Sequence, residues 1–317
     1  MDRFHDRQHV RLRSRVHGTY LHANDDGRSV SLRSRRATLE TAWTVHIYRG
    51  NDGTYLLLHS AAYGRYLAAT ATRAPLALGN LGFRAELRDY DQPEVGAIMW
   101  RAVEAGSGGD VMLRNAGGRY LRANGRHLPW NTRVSVDDAN NTSTMMCWTL
   151  QTVPSRMDVP IPHYPVRSPG DWFGLRPGVW RTIRFVRANG EGFYAEEEGW
   201  DAFPFRGRSV HHLRDELSTR VNLHIFDLVA CVRAGRYGRP TPLVANLPHG
   251  GAGETLEIVV VQCGTPDFGV DFLNVHDRLV LEKQFTETAK VFIWKVLVTV
   301  KLDSDNSVPL FGPIRRQ

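Results

Sequence analysis

Leu58-His59-Ser60-Ala61-Ala62-Tyr63-Gly64-Arg65-Tyr66-Leu67-Ala68-Ala69 is one of three closely similar stretches in this chain. Leu12-Arg13-Ser14 leads through Gly18-Thr19-Tyr20-Leu21 to Ala23, and Leu113-Arg114-Asn115 leads through Gly118-Arg119-Tyr120-Leu121 to Ala123. Each is followed by a tryptophan opening an apolar run: Trp43-Thr44-Val45, Trp100-Arg101-Ala102-Val103 and Trp148-Thr149-Leu150. The tyrosines stand at 20, 66 and 120, a period of 46 and then 54 residues. Spacing in that range signals a repeat architecture.

Inside a repeat the hydrophobic period is two. Val10, Leu12 and Ser14 share one face of a strand, and Arg11, Arg13 and Arg15 share the other. Leu56-Leu57-Leu58 and Val111-Met112-Leu113 are the matching strands. The glycine before each tyrosine (Gly18, Gly64, Gly118) marks a turn where positive φ costs little without a Cβ. One repeat cannot bury its apolar face alone, so the three must close on one another. Four strands per repeat then give a barrel-like domain without exposed sheet edges. The sequence therefore predicts an all-β β-trefoil over residues 1–152. Its core takes Leu12, Leu58, Leu113, Tyr20, Tyr66, Tyr120, Trp43, Trp100 and Trp148.

Beyond it, Pro154, Pro160, Pro162, Pro165, Pro169 and Pro177 mark residues 153–178 as an extended, stiff linker. Residues 179–264 change period. Arg181 to Ala188 alternates as a strand, and Phe193-Tyr194-Ala195-Glu196 through Phe203-Pro204-Phe205 reads as a second strand or an irregular hairpin arm. Val210, Leu213, Leu217 and Val221 follow at helical spacing, with Ser209 at the N-cap position. Leu228–Val232, Pro242–Val244 and Leu256–Val261 complete a β-β-α-β-β-β order, which resembles the ubiquitin-like β-grasp: an α+β fold with one helix on a mixed sheet. Residues 265–317 fit neither pattern. Their apolar run Val291–Val300 is too short to cross a bilayer as a helix. It either adds an edge strand or belongs to a poorly ordered terminus.

A net charge of +7 over 317 residues fits an acidic partner such as actin, a phosphorylated lipid or nucleic acid. Nucleic acid is disfavoured, because no basic–aromatic interleaving is present. The only lysines are Lys283, Lys290, Lys295 and Lys301, so arginine alone carries the positive charge of residues 1–282. Guanidinium groups make forked hydrogen bonds and stack on aromatics. Cys147, Cys231 and Cys263 lack any CxxC spacing, which points to free thiols in a reducing compartment. The N-terminal residues hold no apolar run, so the expected location is cytoplasmic or nuclear rather than secreted.

Catalytic motifs fail one by one. His249-Gly250-Gly251 has no GxSxG elbow to serve, and Asp267-Phe268-Gly269 has no other kinase element beside it. His211 and His212 are adjacent, so on a helix they cannot share a metal. Glu196-Glu197-Glu198 reads as a solvated charge run. No enzyme activity, metal or cofactor is expected. Two places suit a partner: the arginines Arg33, Arg35 and Arg36 after Val30-Ser31-Leu32, and Trp130 in the turn after Pro129.

The pattern Leu-x-Ser-x-x-x-Gly-x-Tyr-Leu-x-Ala with its downstream tryptophan resembles the fascin-like β-trefoils. With Val30-Ser31-Leu32, Asn124-Gly125, Leu128-Pro129-Trp130 and the basic Val10-Arg11-Leu12-Arg13-Ser14 opening, it resembles more narrowly a plant actin-cross-linking-like family of unknown function. That resemblance spans residues 4 to about 265. It implies a non-catalytic interaction module, with F-actin or another acidic protein bound through an arginine-rich trefoil surface. Fascins carry several trefoils, however, and cross-linking from one would need a second site or a dimer. A carbohydrate-binding, lectin-like trefoil is one alternative. It lacks the Gln-x-Trp of ricin-type repeats, since Thr41-Ala42, Ile98-Met99 and Met146-Cys147 precede the tryptophans. A protein–protein adaptor in plant stress or defence signalling, working through the β-grasp domain, is another.

Overall fold

The computed structural model describes residues 3–156, 179–265 and the pair 272–273, apart from 36–37, 51, 76–77, 92–94, 107–108, 126–127 and 129. Arg36, Pro129, the linker from 157, the Asp267-Phe268-Gly269 triplet and the 291–300 run lie outside the described residues.

Each repeat supplies four strands. The first gives β1 (His9–Ser14), β2 (Tyr20–Ala23), β3 (Val30–Arg33) and β4 (Trp43–Gly50). The second gives β5 (Gly53–Ser60), β6 (Tyr66–Arg73), β7 (Phe83–Arg88), a one-turn helix α1 (Val95–Ile98) and β8 (Trp100–Glu104). The third gives β9 (Asp110–Asn115), β10 (Tyr120–Ala123), β11 (Val134–Asp137) and β12 (Trp148–Val153). Antiparallel pairing of β12 with β1, from His9↔Val153 to Ser14↔Trp148, joins the last repeat to the first.

The pseudo-threefold can be read bond by bond. Gly18, Gly64 and Gly118 all have left-handed φ (66°, 72° and 88°). Beside them the turns close alike: Ser14 N–H donates to Thr19 O at 2.8 Å, Ser60 to Arg65 at 2.8 Å and Asn115 to Arg119 at 2.7 Å. Tyr20, Tyr66 and Tyr120 then pair with Arg13, His59 and Arg114 in the same register. Trp43, Trp100 and Trp148 are fully buried, and their indole N–H groups donate to Leu21, Leu67 and Leu121 carbonyls at 3.2, 2.8 and 3.1 Å. Each large ring thus fills the core while its one polar atom is satisfied. Two residues depart from expectation. Tyr120 is half-buried rather than part of the core, and Arg11 is buried rather than solvent-facing.

A short strand β13 (Ser155–Arg156) precedes the second half. There β14 (Trp180–Arg187), β15 (Asp201–Arg206), helix α2 (Val210–Val221), β16 (Leu228–Arg233), β17 (Thr241–Pro242) and β18 (Thr255–Gln262) form a sheet ordered β15-β14-β18-β16-β17. Only β14 and β18 run parallel, so the sheet is mixed. β19 (Phe272–Leu273) pairs with β13. The Ser209 side chain accepts from His212 N–H at 3.2 Å, and Asn222 ends α2 in the left-handed conformation. Val210, Leu213, Leu217 and Val221 pack in one cluster with Ile183, Phe185, Ile258 and Val260 of the sheet.

The second strand of this half occupies only the last part of the span the sequence offers. Residues 193–200 form a loop, and the strand begins at Asp201. Asn189 Oδ1 accepts from Glu191 and Phe193 N–H at 3.0 and 2.9 Å, which turns the chain early. The Trp200 indole then donates to Ala195 O at 2.8 Å and holds the loop closed.

The two halves are in direct contact, and the second repeat carries most of it. Tyr90 N–H donates to Ala234 O at 2.8 Å, and Tyr237 N–H returns to Tyr90 O at 3.1 Å. Tyr66 Oη accepts from Arg239 N–H, and Thr241 Oγ1 lies 3.0 Å from His59 Nδ1. From the first repeat, Asp25 O accepts from His249 N–H at 2.6 Å and Arg28 pairs with Glu254, which Arg65 of the second repeat also holds. A Cβ on Gly64 would come within 2.8 Å of Val232 Cγ1.

Candidate functional site

In a trefoil the second and third strands of each repeat form three hairpins that cap the barrel. The β2–β3 tip is taken up by the second half through Asp25 and Arg28. The β6–β7 and β10–β11 tips pack on each other instead. Asn131 Nδ2 donates to Leu78 O and Asn80 Oδ1, both at 2.9 Å, and Asn80 Nδ2 donates to Pro75 O at 2.9 Å. Within the β10–β11 loop, Leu128 N–H donates to Gly125 O and Asn131 N–H to Leu128 O, each at 2.8 Å.

Two glycines make this packing close. Gly82 has φ +78°, and a Cβ there would sit 2.0 Å from Val136 O. Gly125 has φ +84°, and its Cβ would meet Asn131 at 2.7 Å. Any side chain at either point would force the loops apart.

This scaffold holds apolar side chains out in solvent. Leu78 is 80% exposed, Trp130 71% and Leu81 48%. The third partner is β3. Ser31 bridges Arg133, and Leu32 N–H donates to Thr132 O at 2.7 Å. The β3 end, with Arg33 and Arg35, therefore runs antiparallel to the segment holding Trp130. The two places singled out in the sequence, 97 residues apart at Arg33 and Trp130, become neighbours.

Sequence reasoning missed the rest of this face. Arg73, Arg84 and Arg133 are exposed near the same tips. Leu78 and Leu81 lie in the Gly79-Asn80, Gly82 loop, and apolar residues out of strand phase among turn residues were the available signal. Among the described residues, no carboxylate stands within ion-pair distance of Arg33, Arg35, Arg73, Arg84 or Arg133. Nearby acids are otherwise engaged: Glu86 pairs with Arg88 at 2.8 Å and Asp138 with Arg119 at 3.4 Å. Charge is distributed the same way over the whole chain. Residues 1–150 hold 20 arginines against 14 acidic residues, and residues 179–265 hold 10 against 10.

Beneath the cap lies a polar layer. Arg122 and Asp137 are both buried and pair at 3.5 Å. Burial holds the Arg122 guanidinium below its ordinary range. Its Nε donates to Asn124 Oδ1 at 3.1 Å, and Asn124 Nδ2 donates to Ser135 Oγ at 2.9 Å.

One other concave region is internally compensated. A cleft of about 310 Å³ between the halves is lined by Arg65, Arg184, Arg233 and Arg236. Arg65 is bound to Asp89 and Glu254, Arg184 and Arg233 to Glu257, and Arg236 to Glu197. Arg184 and Arg233 also stack on Trp200, at 4.8 and 4.7 Å. Burial pushes the Cys231 thiol up, away from nucleophilic use. Among the described residues, no group of three or more His, Cys, Asp or Glu could hold a metal ion. No helix among them is long and apolar enough to cross a membrane.

Among curated proteins none matches the chain. Several solved trefoils are similar to its first half. The designed three-fold symmetric protein ThreeFoil is 20% identical, with a TM-score of 0.37, over 45% of this chain and 96% of that one. A Caenorhabditis elegans protein of unknown function is 17% identical, with a TM-score of 0.38, over 47% and 96%. SeviL bound to asialo-GM1 saccharide is 13% identical, with a TM-score of 0.34, over 46% and 97%. The family model for a β-trefoil domain of unknown function, DUF569, matches residues 1–151, and that for the DUF569-associated ubiquitin-like domain matches residues 179–261. The chain belongs to the DUF569 family, with the trefoil and its associated ubiquitin-like domain in one polypeptide.

Proposed function

We propose that this protein is a non-catalytic binding module whose trefoil cap engages an acidic macromolecular surface. The observation that carries the reading is the set of exposed arginines Arg33, Arg35, Arg73, Arg84 and Arg133, which among the described residues have no carboxylate within ion-pair distance, around the stapled β6–β7 and β10–β11 tips. Unneutralised charge of one sign on one face steers and holds a partner of the opposite sign. The charge-balanced ubiquitin-like half buttresses the trefoil from the second repeat and leaves this face open. F-actin is the acidic partner that the resemblance to actin-cross-linking-like proteins implies.

Retention on a heparin resin tests the general reading, and co-sedimentation with F-actin tests the particular partner. Arg33→Ala with Arg35→Ala should lower the eluting salt concentration and weaken any filament binding, which itself falls as salt rises. Wild-type protein that passes the resin at low salt would contradict the proposal.

A further inference from the structure

Resting on that reading, we infer that the acidic surface is an anionic bilayer, which the protein meets with its cap by inserting Leu78, Leu81 and Trp130 between arginine-bound headgroups. Three observations point this way. First, the apolar side chains project rather than line a hollow: Leu78 and Trp130, at 80% and 71% exposed, stand clear of the surrounding protein. A pocket for a sugar or other small molecule covers its aromatics. Interfacial anchors are leucines and tryptophans on the water side of a fold, with tryptophan favoured at headgroup depth.

Second, the apolar tips sit with cations that, among the described residues, have no carboxylate within ion-pair distance. Arg33 and Arg35 lie beside the Trp130 segment, and Arg73 and Arg84 flank the loop holding Leu78 and Leu81. Basic residues near an anionic leaflet each add attraction that dies away within a Debye length. Every one is an arginine, whose fork matches a phosphodiester with two parallel hydrogen bonds.

Third, the described parts of the two tips are tied together: Asn131 bonds Leu78 and Asn80, and the chain approaches itself closely at Gly82 and Gly125, so little further ordering is needed on insertion. A protein partner would need a complementary surface of about 800 Å². A bilayer conforms to projecting side chains and needs none.

The test is flotation of the full chain with vesicles. Phosphatidylcholine vesicles containing phosphatidylserine should carry the protein up at low salt, and pure phosphatidylcholine vesicles should not. Arg33→Ala with Arg35→Ala should lower partitioning about five-fold per charge. Leu78→Ala with Trp130→Ala should abolish flotation while shifting heparin elution less than the arginine pair does. Both residues are exposed, so an unaltered thermal midpoint verifies that this variant is folded.

Heparin retention without flotation would overturn the bilayer assignment and leave the proposed function standing. So would flotation unaffected by the leucine–tryptophan variant, or F-actin binding that this variant abolishes in a protein that ignores vesicles. Loss of both heparin and vesicle binding in the wild type would remove the two readings together.

Discussion

At the residue scale, the same amino acid does opposite work according to what surrounds it. Arg33 and Arg35 stand exposed to water, whereas Arg122 is buried beside Asp137 and depends on it. Removing one partner of a buried pair strands the other charge. Asp137→Ala should therefore cost about 3–5 kcal/mol in urea unfolding. Trp130→Ala, at an exposed site, should stay within about 0.5 kcal/mol. Equal costs would mean that Arg122 has found another counter-charge. The repeat residues were legible in the sequence because their jobs are local: a glycine turns, a tyrosine follows, and a tryptophan closes the unit. Arg11 was misread, because alternation says which way a side chain points and not what lies over it.

At the element scale, three near-copies of one hairpin allow an internal control. Gly18, Gly64 and Gly118 share a left-handed φ, but only Gly64 faces another part of the chain, at Val232. Gly118→Ala should cost about 1–2 kcal/mol for the backbone conformation alone. Gly64→Ala adds the overpacking against Val232, for a further cost of about 1–3 kcal/mol. Matching unfolding midpoints for the two variants would contradict the docked arrangement. The substitution of His59 for Arg13 and Arg114 at the equivalent position marks the same contact, since only the histidine meets Thr241. That mark could not be interpreted from sequence, because its partner lies 182 residues away. Helix α2 was legible for the opposite reason: its cap, its apolar spacing and its Asn222 terminus lie within a few turns.

At the scale of the whole molecule, the buried histidines His9 and His59 and the half-buried His46 couple the trefoil to pH. Burial holds the imidazoles of His9 and His46 down at about 4 and that of His59 well below its ordinary value. Arg239, near His46 and His59, disfavours their protonation further, while Asp6 opposes it at His46. An unfolded chain takes up these protons near pH 6.5, and the folded chain does not. Stability from this source is therefore complete above about pH 6.5 and is lost as pH falls toward 4. The urea midpoint should be lower at pH 5 than at pH 7.5, and an unchanged midpoint would contradict the burial.

The cap face also belongs to this scale, because β3, the β6–β7 loop and the β10–β11 loop build it together. Arg33, Arg35 and Trp130 could be named from sequence, but their adjacency required the Ser31↔Arg133 bridge. The decisive measurement is the salt concentration that elutes the full chain from heparin resin after removing two charges at either of two places. Arg33→Ala with Arg35→Ala should elute well below wild type, and Arg49→Ala with Arg206→Ala, two exposed arginines away from the cap, should elute close to it. Equal shifts for the two pairs would show that net charge alone is sensed, and that the cap is not the binding face.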